Sequence, residues 1–338
     1  MLFGCVYIPN LSCQAAMRVD PLLGDKAVAV IDGSPPLVRV IAINATARRL
    51  GLEIGMTKTE AESCPGLLIR ERSLALEASA HAALVDCVAR FSPRCEDVSV
   101  DTVILDLSGL GKLMGTPLQI AQSIREQATA LSLYVNVGVA SNIDSAMHAA
   151  RVAKGIRVLP AGKEGNELQH VSITVLDPSS DVLGVFERWG IRTLGQLAAL
   201  PEIALTERLG QEGLRLQRLA QGKSMRMLSP TEPPLEFRES MELDSPVTDI
   251  ESLSFIFARL IDQLCARLLS RSLAAGAVRI ELTLEVATLD ATASSKVFTR
   301  VVKLPVSTTD SKLLLKLLQL DLDARIALLK VGQRRAQP

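Results

Sequence analysis

The chain has 338 residues, of which 48% are apolar and 22% charged, the balance of a folded soluble protein long enough for two or three domains, which excludes wholesale disorder. Lys plus Arg and Asp plus Glu each total 37, giving a net charge of zero; no strong global attraction to nucleic acid remains, and any DNA contact must be local. The 6 cysteines form no C-x-x-C pair, His81, His148 and His170 lack an i, i+4 partner, and neither a long apolar run nor a signal peptide is present. The expectation is a reduced, cytoplasmic protein with no zinc site.

In chain order, short apolar and β-branched runs over residues 2–8, 27–31 and 38–43 read as strands. Residues 46–50, ending at Gly51, and 57–63, ending at Pro65-Gly66, carry the stop signals of short helices. An Ala-rich helix follows over 73–91, then a hairpin over 97–107 closed by Ser108-Gly109, a helix over 117–131 with Pro117 in its first turn, an alternating stretch over 134–140 and a small helix over 143–153. The first 165 residues are therefore mixed α and β. Beyond residue 175 only short helices are expected, over 182–189, 193–199, 203–209 and 213–220, followed by a Pro-containing linker. The remainder reads as a small α+β domain: an amphipathic helix over 250–272, strands over 277–289 and 297–306, and a closing helix over 310–322. The basic tail, 326–338, is expected to be disordered.

Two glycine-bearing helical turns, Gly190-Ile191 and Gly210 to Gly213, could offer backbone amides to a phosphate or could simply cap and pack helices, and both readings stand at this level. Arg48, beside Arg49 on a helix that follows a strand, could meet a phosphate or be solvated. Arg279, Lys296, Arg300 and Lys303 could line neighbouring strands facing a DNA backbone, or form an ordinary charged face with Glu281 and Glu285. Gln319-Leu320-Asp321-Leu322 has the look of a clamp-binding peptide, but its leucine periodicity argues for core packing.

The segment from Tyr7 to Asp25 resembles, without a gap, the start of the Y-family translesion DNA polymerases, keeping Met17, Arg18, Pro21, Leu23 and Asp25. In that likeness the family's catalytic aspartate falls on Tyr7 and its neighbour on Pro9. Ser99-Val100-Asp101-Thr102 is similar to the family's Ser-Ile-Asp-Glu hairpin, with Asp101 kept and the glutamate replaced by Thr102. The steric-gate pair falls on Leu11 and Ser12, the Tyr-x-Ala-Arg run on Ala45-Thr46-Ala47-Arg48, and the Asn-Lys pair on Asn142-Ile143. Two-metal phosphoryl transfer requires several carboxylate oxygens around hard cations, and Asp101 alone cannot supply them.

Within the family the chain looks like the ImuB-like proteins that lack polymerase chemistry. The resemblance implies a right-handed α+β architecture: palm over 1–10 and 73–165, fingers over 11–72, a helical thumb with helix-hairpin-helix turns over 173–228, a linker over 229–245, and a little finger over 246–325. It implies a scaffold in damage-induced mutagenesis, with no catalytic or metal-binding residues, vestigial Asp101 and Arg48, and no cofactor. DNA would meet Gly190, Ile191, Gly210, Gly213, Arg279 and Arg300. The partners implied are primer-template DNA, a sliding clamp, a RecA-like ImuA protein and an error-prone replicative-type polymerase. The alternatives are an active Mg²⁺-dependent translesion polymerase that recruits Asp97 or Asp106, and an interaction module without DNA binding.

Overall fold

The computed structural model describes the chain except residues 225, 233, 244–246, 248, 287–293 and 336–338. It divides into two compact units, Met1–Pro234 and Leu235–Pro338. No described helix is long and apolar enough to cross a membrane.

The first unit opens with β1 (Phe3–Tyr7) and α1 (Leu11–Val19), then β2 (Ala27–Asp32), β3 (Arg39–Ile43), the short helices α2 (Ala45–Arg49) and α3 (Lys58–Glu62), β4 (Leu67–Glu71) and α4 (Leu74–Ala89). A hairpin of β5 (Cys95–Ser99) and β6 (Thr102–Asp106) leads through α5 (Gly111–Met114) and α6 (Pro117–Ala130) to β7 (Asn136–Ala140), α7 (Ile143–Val152) and β8 (Ile156–Val158). These strands make a five-stranded sheet of order β5-β6-β1-β7-β8 and a three-stranded sheet of order β3-β2-β4. The near-continuous apolar composition of β1 suits its central place, since it pairs antiparallel with β6 on one side and β7 on the other.

Helix α7 lies directly on this sheet. A Cβ on Gly138 would stand 2.1 Å from the Ala146 carbonyl oxygen and 2.4 Å from the Ala150 amide nitrogen, so the close approach depends on glycine in β7 and on Ala146, Ala149 and Ala150 in α7, all buried. The helix starts follow capping rules: Thr57 with Glu60 at α3, and Thr116 with Gln119 plus Pro117 at α6, form reciprocal boxes. The unit then turns helical, with α8 (Glu164–Leu168), α9 (Ser180–Arg188), α10 (Leu194–Ala198) and α11 (Glu202–Ala220), the last broken at Gly210 (φ 59°, ψ −146°).

The sequence does not announce α1 or β4. Helix α1 starts from Asn10 in the left-handed region with no side-chain cap, and β4 is a five-residue strand that is nowhere fully buried, so neither carries the usual signal. The hairpin turns at Val100-Asp101 rather than at Ser108-Gly109, because Asp101 accepts hydrogen bonds from Ser99 Oγ and Thr102 Oγ1, both 2.7 Å, and draws the two strand ends together.

The second unit contains α12 (Ile250–Ser270), β9 (Ala275–Val286), β10 (Ser294–Thr308) and α13 (Ser311–Arg335). Helix α13 continues beyond residue 322 to Arg335, into the segment expected as a disordered tail, of which residues 336–338 lie outside the described ones; between Ser311 and Val331 the sequence has neither glycine nor proline to stop it. One face of the two-stranded sheet packs Ile280 against Phe257, Ile261 and Cys265 of α12 and Leu314, Leu318 and Leu322 of α13. Leu322 is thus a core residue, as the leucine periodicity indicates.

The segment expected as a linker is tied down at both ends. The Ser229 amide donates to Glu96 at 2.9 Å and the Thr231 amide to the Cys95 carbonyl at 2.7 Å. Farther on, the fully buried Arg267 of α12 donates to the carbonyls of Glu236 and Arg238 (2.9 and 3.0 Å) and to the Glu239 carboxylate (3.1 Å), with its guanidinium 5.4 Å from the centre of the Phe237 ring. Removing one member of a buried ion pair leaves the other uncompensated. Arg267→Ala should therefore lower the stability of the second unit by about 3–5 kcal/mol in urea denaturation, while Arg279→Ala, on an exposed side chain, should change it by less than about 0.5 kcal/mol.

Candidate functional site

The end of β1 and the β5–β6 turn build one wall of a cavity of about 340 Å³, lined by Tyr7, Asp101, Arg151, Ser172 and Thr174. Strand register places Tyr7 opposite Thr102, and the Ile8 amide donates to the Asp101 carbonyl at 2.8 Å, fixing the turn against β1. His81 of α4 reaches the same turn, with Nδ1 3.0 Å from the Val100 carbonyl and Nε2 2.9 Å from Asp97. Burial raises the Tyr7 phenol above its usual pKa, and nearby Asp101 adds to the rise while Arg151 opposes it. Burial likewise pushes the Cys5 thiol up to about 12.

A pair of Mg²⁺ ions needs several ionised carboxylates with free oxygens, and these residues do not fit one. Asp101 is the only carboxylate among the residues lining the cavity, and its Oδ1 already accepts two hydroxyl hydrogen bonds. Tyr7 and Thr102 occupy the other two positions of interest, and Arg151 contributes a positive charge. Asp106 is no substitute: it pairs with Phe3, four residues up β1 from Tyr7, a separation of about 14 Å along a strand, and it forms an ion pair with Arg94 at 2.9 Å. Asp97 is engaged by His81. Among the described residues no group of three or more His, Cys, Asp and Glu side chains is placed to hold a metal ion. Nothing in the sequence singles out Arg151, which only the packing of α7 brings to the cavity.

Between α1, β4 and α4, Ser12 donates to the buried Glu77 carboxylate at 2.5 Å, and Arg72 grips the same carboxylate through Nε and Nη2, each 2.9 Å, while reaching Asp32 at 3.0 Å. Leu11 is buried. Asn142 caps α7 and donates to the Gly222 carbonyl at 3.1 Å. Arg48 is exposed and borders a separate cavity of about 330 Å³ with Ile43, Leu52, Glu53 and Ile54.

The helical turns divide the expected DNA contacts. At Gly190 (φ 71°) the Gly190 amide donates to Glu187 O and the Ile191 amide to Phe186 O, closing the end of α9, and the Ile191 side chain is buried. The amides of Arg192 and Thr193 both bond the Gln196 side chain, and those of Leu194 and Gly195 bond Val171 O and Gln169 O. The expectation that this turn presents free amides is corrected: they complete the cap and the packing. Gly213 is a packing residue too, since a Cβ there would stand 2.8 Å from Leu209 Cβ. Gly190 and Gly210 are both exposed, with open space where a Cβ would be, but the Gly190 amide is already used by Glu187 O.

The two strand arginines also separate. Arg279 lies opposite Val301 and Arg300 opposite Ile280, so they project from opposite faces, directly opposed residues sharing a face. Arg300 is on the core-facing side and holds Asp321 of α13 bidentately at 2.6 and 2.7 Å; a joint DNA-facing row is excluded by register. Arg279 is exposed with Lys303 on the outer face. The side chain of Lys296 lies outside the described ones.

A family profile described as the impB/mucB/samB family matches residues 6–151. DNA polymerase IV of Dehalococcoides mccartyi (strain CBDB1) is 30% identical over 281 residues, covering 80% of this chain and 70% of that relative. The chain belongs to the Y-family of DNA polymerases. DNA polymerase IV 2 of Mesorhizobium japonicum is 31% identical over 218 residues, 62% of this chain and 51% of that protein, so the matched stretch spans between half and seven tenths of these relatives. The fold agrees with family structures: DinB from Sulfolobus solfataricus (TM-score 0.57, 18% identity, 94% of this chain and 92% of that one) and the insertion ternary complex of Dbh DNA polymerase (TM-score 0.57, 18% identity, 96% and 94%).

Burial alone would raise the Glu77 carboxyl, but hydrogen bonds from Arg72 and Ser12, with the charge of Arg72, hold it below the usual carboxylate range. A carboxylate depressed on folding stabilises the folded state above its unfolded pKa, about 4.3, and loses that contribution as pH falls through the folded value. Glu77→Gln should therefore be destabilising at pH 7 in thermal melts, and its deficit relative to the parent should shrink below about pH 4.

Proposed function

We propose that this chain is a non-catalytic member of its family, acting as an accessory scaffold in damage-induced mutagenesis and translesion synthesis and holding primer-template DNA weakly. The observation that carries the reading is the cavity at the end of β1, where Tyr7, Thr102 and Arg151 surround a single partly satisfied carboxylate, Asp101. Catalysis of phosphoryl transfer is almost entirely positioning and charge stabilisation by bound cations. A site with one carboxylate and one guanidinium has neither the ligands nor the potential to gather them.

In this assignment residues 1–10 and 73–165 form the palm, 11–72 the fingers, 173–228 the thumb and 246–325 the little finger. The DNA contacts left open by the geometry are Gly210 and Arg279, with Arg48 as the remnant of a phosphate contact. The zero net charge supports weak binding, and a Dbh neighbour captured in a ternary complex supports DNA as the ligand. The likeness to ImuB-like proteins supports a sliding clamp, a RecA-like ImuA protein and an error-prone replicative-type polymerase as partners, in the cytoplasm. The relatives named DNA polymerase IV favour a second reading, an active metal-dependent polymerase.

Primer extension on undamaged and lesion-bearing templates with Mg²⁺ or Mn²⁺ separates the two. The proposal expects no incorporation above that of an Asp101→Ala control. Robust incorporation that Asp101→Ala abolishes would establish the second reading instead.

A further inference from the structure

Helix α13 carries two apolar stripes, and the fold uses only one. Leu314, Leu318 and Leu322 are 3%, 2% and 8% exposed and fill the core. On the far side Leu313 and Leu320 are 44% and 57% exposed, Leu317 is half-buried and Ala324 is exposed. These four recur at spacings of four, three and four residues, which is the seam spacing of a helix that packs along a second helix. An isolated exposed leucine needs no explanation, whereas a stripe in register over three turns does.

The charges beside the stripe say what covers it. Lys316 and Asp323 flank the same edge, seven residues apart; both are exposed and neither forms an ion pair among the described residues. Laid antiparallel on a second α13, with Leu317 against Leu320 of the copy and Leu313 against Ala324, the seam brings Lys316 of each helix to Asp323 of the other. Shifting the copy by one heptad would instead oppose Asp323 to Asp323. A parallel pairing would direct Lys316 to Asp321, which Arg300 already holds. Charges flanking an apolar seam select partner and orientation in this way.

We infer that the outer face of α13 is a self-association surface, on which a second copy of this chain docks antiparallel through Leu313, Leu317, Leu320 and Ala324. The occupant is a copy of α13, because that helix supplies both the matching apolar spacing and the complementary charges. The inference is independent of the reading of the β1 cavity.

Sedimentation velocity of the full chain tests it across loadings from about 1 to 200 micromolar, where mass action shifts a weak dimer. The expected result is a concentration-dependent dimer whose dissociation constant rises at least about tenfold in Leu320→Glu, an exposed substitution that should leave the circular dichroism spectrum unchanged. Lys316→Glu and Asp323→Lys should each weaken the dimer, and the double variant should recover to within about threefold of the parent, as expected for a direct charge pair. A chain that stays monomeric throughout, a dimer indifferent to Leu320→Glu, or a charge swap that fails to recover would each overturn the inference. Association only with an added amphipathic peptide would do so as well, by assigning the face to another partner.

Discussion

The double register on β1 is the constraint from which the chemistry of the first unit follows. With β6 on one edge and β7 on the other, the strand cannot slip, because a one-residue shift would turn its buried side chains to the opposite face. Tyr7 is thereby held opposite Thr102 and beside Asp101, and Asp106 is kept at the far end of the strand. Gly138 and the alanines of α7 let that helix lie on the same sheet, which brings Arg151 to the cavity. Among the described residues no carboxylate cluster forms there: Asp97 is engaged by His81, and Asp106, at the far end of the strand, by Arg94.

Much of the first unit is legible from residue patterns. The apolar runs of β1, β2 and β3, the helix stops at Gly51 and Pro65-Gly66, and Pro117 mark their elements because each signal is local. What escapes is non-local. Ser12, Arg72 and Glu77 make one network only after α1, β4 and α4 converge, and nothing in their spacing reports it. Arg151 is one more arginine at the end of a helix until Gly138 admits α7 to the sheet. Glycine at 190 signals a turn, but whether its amides face solvent or close a helix depends on a cap geometry the sequence leaves open.

The second unit makes the same point with charged residues. Arg279 and Arg300 both read as exposed basic positions on strands, yet the pairing register puts them on opposite faces, and the one on the inner face is satisfied by Asp321. Arg267 is read in the sequence only as part of an amphipathic helix; in the structure it is fully buried and fastens residues 236–239 by their carbonyl oxygens, which side-chain periodicity does not encode. The leucines of α13 fit a core-forming helix by period, but there are more of them than one core can use, and the surplus is what points outward.

The most direct measurement of the central claim is a Mn²⁺ titration followed by electron paramagnetic resonance, on the chain with primed DNA and a complementary nucleotide. The account predicts no stoichiometric ion attributable to the protein, with the same signal in the parent and in Asp101→Ala. Two tightly held ions per chain, lost in Asp101→Ala, would contradict it.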